Sequence, residues 1–408
     1  MTTTTYDPFQ PGFTTDPYPT YAAMRHDDPV HRSPFGFWML WRYDDVHRFL
    51  RDPGLSVDPE NLADSAFSGL LRPDDGPGPS GGPSMSMLSR DPPDHTRLRR
   101  LVSKAFTPQS IEQLHPRIDA LVDTALDAAA ARGAIELIGD LAFPLPFQVI
   151  SEMMGMPGVD TTELRKWTGL LVRNLEPVND PGTLAEMEAA GESMWALLED
   201  MIAWKRDHLA DDLLSRLIQA EEDGAVLDET ELVDQVALLY IAGHETTVNL
   251  IGNGGLALAR NPEQWQRWRG DRGLGQTAVE ELLRFDSPVQ MTRRITTGPV
   301  DVGGLTIGPG EFVALMLGSA NRDEARWGPT AAALDLGRAE ARDHVSFGGG
   351  HHHCLGAALA RLEGRSALGG LVRRFAPMQV AGDPVWNGRI NLRGLKELHL
   401  VSAPGRGA

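Results

Sequence analysis

The stretch Phe347-Gly-Gly-Gly-His-His-His-Cys-Leu-Gly356 decides the reading of this 408-residue chain. Three consecutive glycines let the backbone turn tightly and approach a flat ligand closely. Cys354 is the single cysteine of the sequence, so no intramolecular disulfide can form. That fits a reducing compartment. A lone cysteine is either a small buried hydrophobe or a nucleophile or metal ligand, and its neighbours choose between the two. Leu355 and Gly356 lead into Ala357-Ala-Leu-Ala-Arg361, a strong helix former. The sulfur therefore falls near a helix N-terminus, where backbone N–H groups and the dipole favour a thiolate. Zinc fits less well. The adjacent residues His351 to Cys354 do not readily surround one tetrahedral ion, and structural zinc sites use spaced ligands. A thiolate beneath a porphyrin is the better reading.

The segment resembles the haem-binding signature of the cytochromes P450, Phe-Gly-x-Gly-x-His-x-Cys-x-Gly. Phe347, Gly348, Gly350, His352, Cys354 and Gly356 match it position by position. The resemblance implies that Cys354 is the iron ligand, a thiolate that pushes electron density toward the metal. It also implies that His352 faces a haem propionate. His351 and His353 fall at variable positions and carry no assigned role.

Working outward, Ala242-Gly-His-Glu-Thr-Thr247 stands about 110 residues before the cysteine and matches the family's distal-helix motif. Gly243 would let the haem come close to the helix. Glu245 and Thr246 set a carboxylate beside a hydroxyl, a pair that can hold water and relay protons. They are the expected catalytic residues. The competing reading is a mid-helix Thr bonded back to the preceding turn. Glu281-Leu-Leu-Arg284 matches the family's Glu-x-x-Arg pair, a structural lock at i, i+3 spacing. The Arg that usually completes the lock is missing, since Ala331-Ala-Ala-Leu-Asp335 stands in its place; either Arg326 or Arg338 substitutes, or the lock is a pair. Asp91-Pro-Pro-Asp-His-Thr-Arg-Leu-Arg-Arg100 resembles the helix that crosses the haem edge. His95 and Arg99 share one face of it, and with Arg294 they would neutralise the propionates.

The resemblance runs from about Asp16-Pro-Tyr-Pro19 to the C-terminal strand. It implies one mainly α domain over residues 1–408, the P450 fold with small peripheral β-sheets. Local patterns agree. Helices are expected over 109–131, 184–208 and 228–260, the last opened by a capping box at Asp228 and Glu231 and closed by Asn261-Pro262. Strands are expected at Phe37–Trp41, Val300–Ile307, Glu311–Leu317 and Leu398–Val401. No fixed-period repeat is visible. The run Pro73-Asp-Asp-Gly-Pro-Gly-Pro-Ser-Gly-Gly-Pro83 has the composition of a flexible segment. It reads as part of a loop over residues 60–88 that lies above the distal pocket, mobile when empty, with Phe67 or its neighbours in the pocket wall. Met85 and Met87 would adapt that loop to ligand shape.

With 56 acidic and 38 basic residues the net charge is −18, which argues against nucleic acid as a partner. The N-terminus has neither a basic nor an apolar leader region, and the apolar runs are too short or too interrupted to span a bilayer. A cytoplasmic protein that neither spans nor binds a membrane is expected. The resemblance implies haem b (iron protoporphyrin IX) as cofactor. It implies insertion of one oxygen atom from O2 into a small apolar organic substrate. Electrons would come from NAD(P)H through a separate ferredoxin and ferredoxin reductase, since the chain carries no flavin or iron–sulfur motif. Leu238, Ala242, Val289 and Met291 are the remaining expected substrate contacts. Arg97, Arg100, Lys104, Arg361, Arg365 and Arg373 are candidates for a basic docking face for an acidic ferredoxin.

Overall fold

The computed structural model describes residues 6–63, 86–155, 161–176, 180–222 and 225–402. Its axis is the helix Glu229–Arg260, 32 residues long, hence ~48 Å. The expected capping box forms in both directions. The Asp228 side chain accepts from the Glu231 N–H at 2.8 Å, and the Asp228 N–H donates to the Glu231 carboxylate at 3.1 Å. The helix is buried along most of its length, in a core shared with the helices His115–Arg132, Pro144–Met154, Pro181–Arg206 and Ala357–Arg374. Close contact with its neighbours depends on missing side chains. A Cβ at Gly254 would meet Leu368 at 2.7 Å and one at Gly255 would meet Leu137 at 2.2 Å.

Local signals placed elements better than they placed breaks. The 109–131 stretch is two helices, Pro108–Glu112 and His115–Arg132. Pro116 explains the interruption, because a proline has no N–H to give the preceding turn and its ring crowds that turn's carbonyl. Val300–Ile307 is not one strand but a hairpin, Val300–Val302 paired with Leu305–Ile307. Gly303 and Gly304 make its turn at φ 58° and 81°, a conformation open chiefly to glycine.

The main sheet stacks Val30–Arg32, Trp38–Leu40, Phe312–Leu315, Thr292–Thr296 and Leu55–Ser56 in that order. Only the Trp38–Leu40 and Phe312–Leu315 pair is parallel, with Val313 opposite Trp38. A separate apolar cluster that includes Trp38, Leu40, Phe49, Val313 and Trp327 seats this sheet. Thr292–Thr296 carries Arg294, whose charge reaches His352 of the cysteine segment, while Arg293 turns to Val57 and Ser89. Of the 60–88 loop, the described ends are ordered against the protein. Leu62 and Met87 are buried, and the Met87 N–H donates to Gln235 Oε1 at 3.2 Å. Phe67 and Met85 lie outside the described residues, as does the Gly/Pro run.

Candidate active site

Two of the three glycines before the cysteine are turn residues, Gly348 at φ 68° and Gly350 at φ 66°. The close approach they permit is partly to the chain itself. A Cβ at Gly350 would lie 2.5 Å from the Leu50 carbonyl oxygen. The turn returns the Cys354 N–H to the Phe347 carbonyl at 2.9 Å. Gly356 caps the helix Ala357–Arg374. Burial raises the Cys354 thiol, while hydrogen bonds from Gly356 and Ala357 and the charges of Arg99 and Arg361 act the other way. The residue is nonetheless exposed, unlike a cysteine in packed core. Phe347 lies under the Arg361 guanidinium, 4.5 Å from ring centre to carbon.

The residues expected at the haem edge do converge. The His95 and His352 rings are 4.2 Å apart. Arg99 donates to the His353 carbonyl at 2.6 Å. Arg294 is buried and donates to the Leu50 carbonyl at 3.0 Å. These groups make one another uncomfortable. Burial, then the charge of Arg99, pushes His95 down to about 4. Burial, then His95 and Arg294, pushes His352 down to about 3. Burial pulls the Arg294 guanidinium down to about 10. Both ring nitrogens of His95 are buried without a partner among the described residues. A buried donor left unpaired is costly, and a crowd of cations at one spot calls for an anion. A porphyrin with its propionates here and its iron at Cys354 satisfies both demands, so the residues fit the group.

The distal side is marked by exposure within a core helix. Leu238 and Thr246 are half-buried and Ala242 is exposed, in a helix otherwise largely packed. Positions i, i+4 and i+8 form one stripe, and it faces open space. Gly243 is not in that stripe; a Cβ there would meet Ile150 at 3.8 Å. The Thr246 hydroxyl donates to the Ala242 carbonyl at 3.0 Å, the backbone bond of the competing reading. Its oxygen keeps lone pairs for a second partner. Glu245 does not lie beside it. Adjacent helix positions do not face each other, and the Glu245 carboxylate is ion-paired with Arg389. Val289 and Met291 are half-buried and alternate with buried Gln290.

Sequence reasoning left the completion of the Glu281–Arg284 lock open and missed the His344–Glu280–Arg361 cluster. Arg338 reaches Glu281 at 3.2 Å, alongside Arg284 at 2.7 Å, whereas Arg326 pairs with Asp343. The cation comes from beyond the Ala331–Asp335 stretch, on a turn the pattern could not foresee. Arg361 and His344 both bind Glu280, at 2.6 and 3.1 Å. Burial would raise Glu280, but these partners outweigh it and hold the carboxyl at about 2.

The expected basic face is correspondingly smaller. Arg361 is committed to Glu280, and Arg97 is turned away to Glu231. Arg365 lies along Gly275 and Arg373 along Gly369 of its own helix. Arg99, Arg100 and Lys104 line, with His95 and His351, a solvent-open concavity of about 540 Å³.

Among the described residues no helix is long and apolar enough to cross a membrane. The family model described as Cytochrome P450 matches residues 185–387. Cytochrome P450 107B1 of Saccharopolyspora erythraea is 42% identical over 407 residues, covering 96% of each chain. The vitamin D(3) 25-hydroxylase of Pseudonocardia autotrophica is 40% identical, over 98% of this chain and 97% of its own. Among solved structures, myxobacterial cytochrome P450 CYP267B1 in complex with myristic acid superposes with a TM-score of 0.88 at 37% identity, over 97% of this chain and 99% of that one.

Proposed function

The chain belongs to the cytochrome P450 family, and from that premise we propose that it is a haem-thiolate monooxygenase that oxidises an apolar organic substrate. The observation that carries this reading is the exposed Cys354 two residues after His352, whose ring meets the buried His95 ring that lacks a hydrogen-bond partner among the described residues, with the cations Arg99 and Arg294 close by. Cys354 would hold haem b, with His95, Arg99, Arg294 and His352 toward its propionates, and the group would supply the activation of dioxygen. The protein's own residues do the rest. Leu238 and Ala242, with Val289 and Met291, offer the substrate a low-polarity wall. That suits the fatty acid named with the solved relative. The Thr246 hydroxyl donates to the Ala242 carbonyl, which leaves its oxygen free to accept from the end of a chain of waters. Glu245 supplies protons to that chain from the far side. Phe347 and Gly356 frame the thiolate, and the backbone N–H groups that reach its sulfur lower its basicity.

Electrons come from NAD(P)H through an external reductase and an acidic ferredoxin that docks by charge on the Arg99, Arg100 and Lys104 concavity. The working compartment is the cytoplasm. Turnover under 18O2, with redox partners supplied, tests the function. One labelled oxygen in the product and one in water is the expected result; product oxygen drawn from solvent would overturn it. Cys354→Ser must also abolish the thiolate-type spectrum of the reduced carbon monoxide complex, because no second cysteine can replace it.

A further inference from the structure

Arg293 and Arg294 are consecutive on the strand Thr292–Thr296, so their side chains leave opposite faces of the main sheet. Arg294 takes the face toward His352. Arg293 takes the face of Met291, two positions before it, and of Ala314 and Phe312 on the neighbouring strand, which stand opposite Arg293 and Ile295. That face is apolar. Phe312 meets Phe37 edge-on at 5.6 Å, and Phe37 stacks on the exposed Phe35 at 6.5 Å. Met291, Arg293 and Phe312 are half-buried, an accessible edge beside the packed Ala314. The guanidinium is poorly matched to this place. Nε and Nη2 reach the Val57 carbonyl and Ser89 Oγ, both at 3.4 Å, beyond the usual hydrogen-bond range. Nη1 has no partner among the described residues and is not sealed from solvent. The neighbouring acids are engaged elsewhere. Asp58 pairs with Arg90 at 3.5 Å and accepts from the Glu60 N–H, while Asp91 takes the Ser56 hydroxyl and the Val57 N–H. Burial pulls Arg293 down, with the charge of Asp58 acting against it. A half-buried cation with no anion in contact, on apolar surface, is completed by one.

We propose that Arg293 is a substrate-recognition residue that binds the carboxylate of an amphipathic acid, whose hydrocarbon chain lies along Met291 and the 289–291 wall. The proposal rests on the monooxygenase reading and narrows its substrate to a molecule with an apolar body and one anionic head. The open Nη1 and the loosely held Nη2 offer N–H groups in one plane, the fork that fits the two oxygens of a carboxylate. One cation also matches one negative charge, whereas a phosphate monoester would bring nearly two to a chain of net charge −18. The long contacts to Val57 and Ser89 lose little when exchanged for shorter, charge-assisted ones. The rival use of Arg293 is a clasp between Val57 and Ser89, which stand before and after the 60–88 loop. A clasp is indifferent to the charge of the ligand; a recognition residue is not.

Dodecanoate and methyl dodecanoate share a chain and differ in charge, so the pair separates the two uses. Each is titrated into holoprotein at neutral pH and followed by Soret shift and by calorimetry. Dodecanoate should bind the wild type about tenfold or more tighter than the ester, the scale of a hydrogen bond to a charged group. Arg293→Met should erase that difference by weakening the acid alone, with ester affinity unchanged. Arg293→Lys should keep part of it, since the charge remains and the fork is lost. Equal affinities in the wild type, no saturable dodecanoate binding, or a preference that survives Arg293→Met overturns the proposal. So does an equal loss of both ligands in Arg293→Met, which leaves only the clasp. Calorimetry needs neither turnover nor a change at the iron. If the acid preference depends on Arg293 as stated but the wild type inserts no oxygen, the monooxygenase reading fails and the carboxylate site stands.

Discussion

Thr246 has two hydrogen-bonding capacities, and the structure shows one of them in use, toward Ala242. Removing the hydroxyl should leave packing and haem binding intact, because the side chain is half-exposed to the cavity. What is lost is the last acceptor of the proton chain. Thr246→Ala should lower product per NAD(P)H at least about tenfold, within the about 10²–10⁴-fold that a positioned proton-transfer group contributes to a rate, with water and hydrogen peroxide released instead. Full coupling in that variant, measured as product per NAD(P)H, rejects the role. Glu280 gives a second residue-level expectation, this one about acid. Its carboxyl sits at about 2 in the folded protein against an ordinary 4.5. A depressed carboxyl contributes its stability above the ordinary value, and that contribution disappears as pH falls from about 4.5 toward 2. Glu280→Gln should therefore flatten the fall of unfolding stability across that window. A slope equal to wild type would show that His344 and Arg361 do not hold the charge.

Among elements, the helix Gly275–Phe285 is tied to the segment 331–338 by buried charge. Glu281 and Arg284 are both fully buried, and Arg338 is nearly so. Arg338 also donates to the carbonyls of Trp327 and Thr330. Removing one partner of a buried network leaves the others unpaired, which costs more than the pair contributes. Arg338→Met should destabilise the holoprotein by about 2–3 kcal/mol, less than a fully broken pair because Arg284 remains. Arg326→Met, at a pair 31% and 45% exposed, should cost less than about 1 kcal/mol. Denaturant unfolding of the two variants separates them, and equal losses would deny Arg338 its place in the lock. The motif announced two members of this network. The third was hidden because a turn, unlike a helix, has no period by which to place a side chain.

Over the whole molecule, a net charge of −18 coexists with a basic concavity beside the cysteine segment. The concavity sets the local potential that an acidic electron donor would meet on approach. Raising ionic strength from about 0.01 M to about 0.15 M shortens the screening length from about 30 to about 8 Å. Electron transfer from an acidic ferredoxin should slow over that range. Arg100→Glu should slow it at low salt and flatten the dependence. A rate independent of salt in the wild type would exclude docking by charge.

Read alone, the chain already marked the glycine turn before Cys354, the shared helix face of His95 and Arg99, and the start of the long helix. Each rests on a short-range rule: glycines that permit a turn, i and i+4 positions that share a face, a capping box that starts a helix. The five-stranded sheet was half visible. Trp38–Leu40 and Phe312–Leu315 had alternation, whereas Leu55–Ser56 is two residues long and carries no pattern to detect. Tertiary structure alone decided which charges meet. Arg389 reaches Glu245, Arg97 reaches Glu231 and Arg338 reaches Glu281 across 144, 134 and 57 positions. Side chains so far apart are brought together by the packing of whole helices, and no local preference of either residue encodes the meeting.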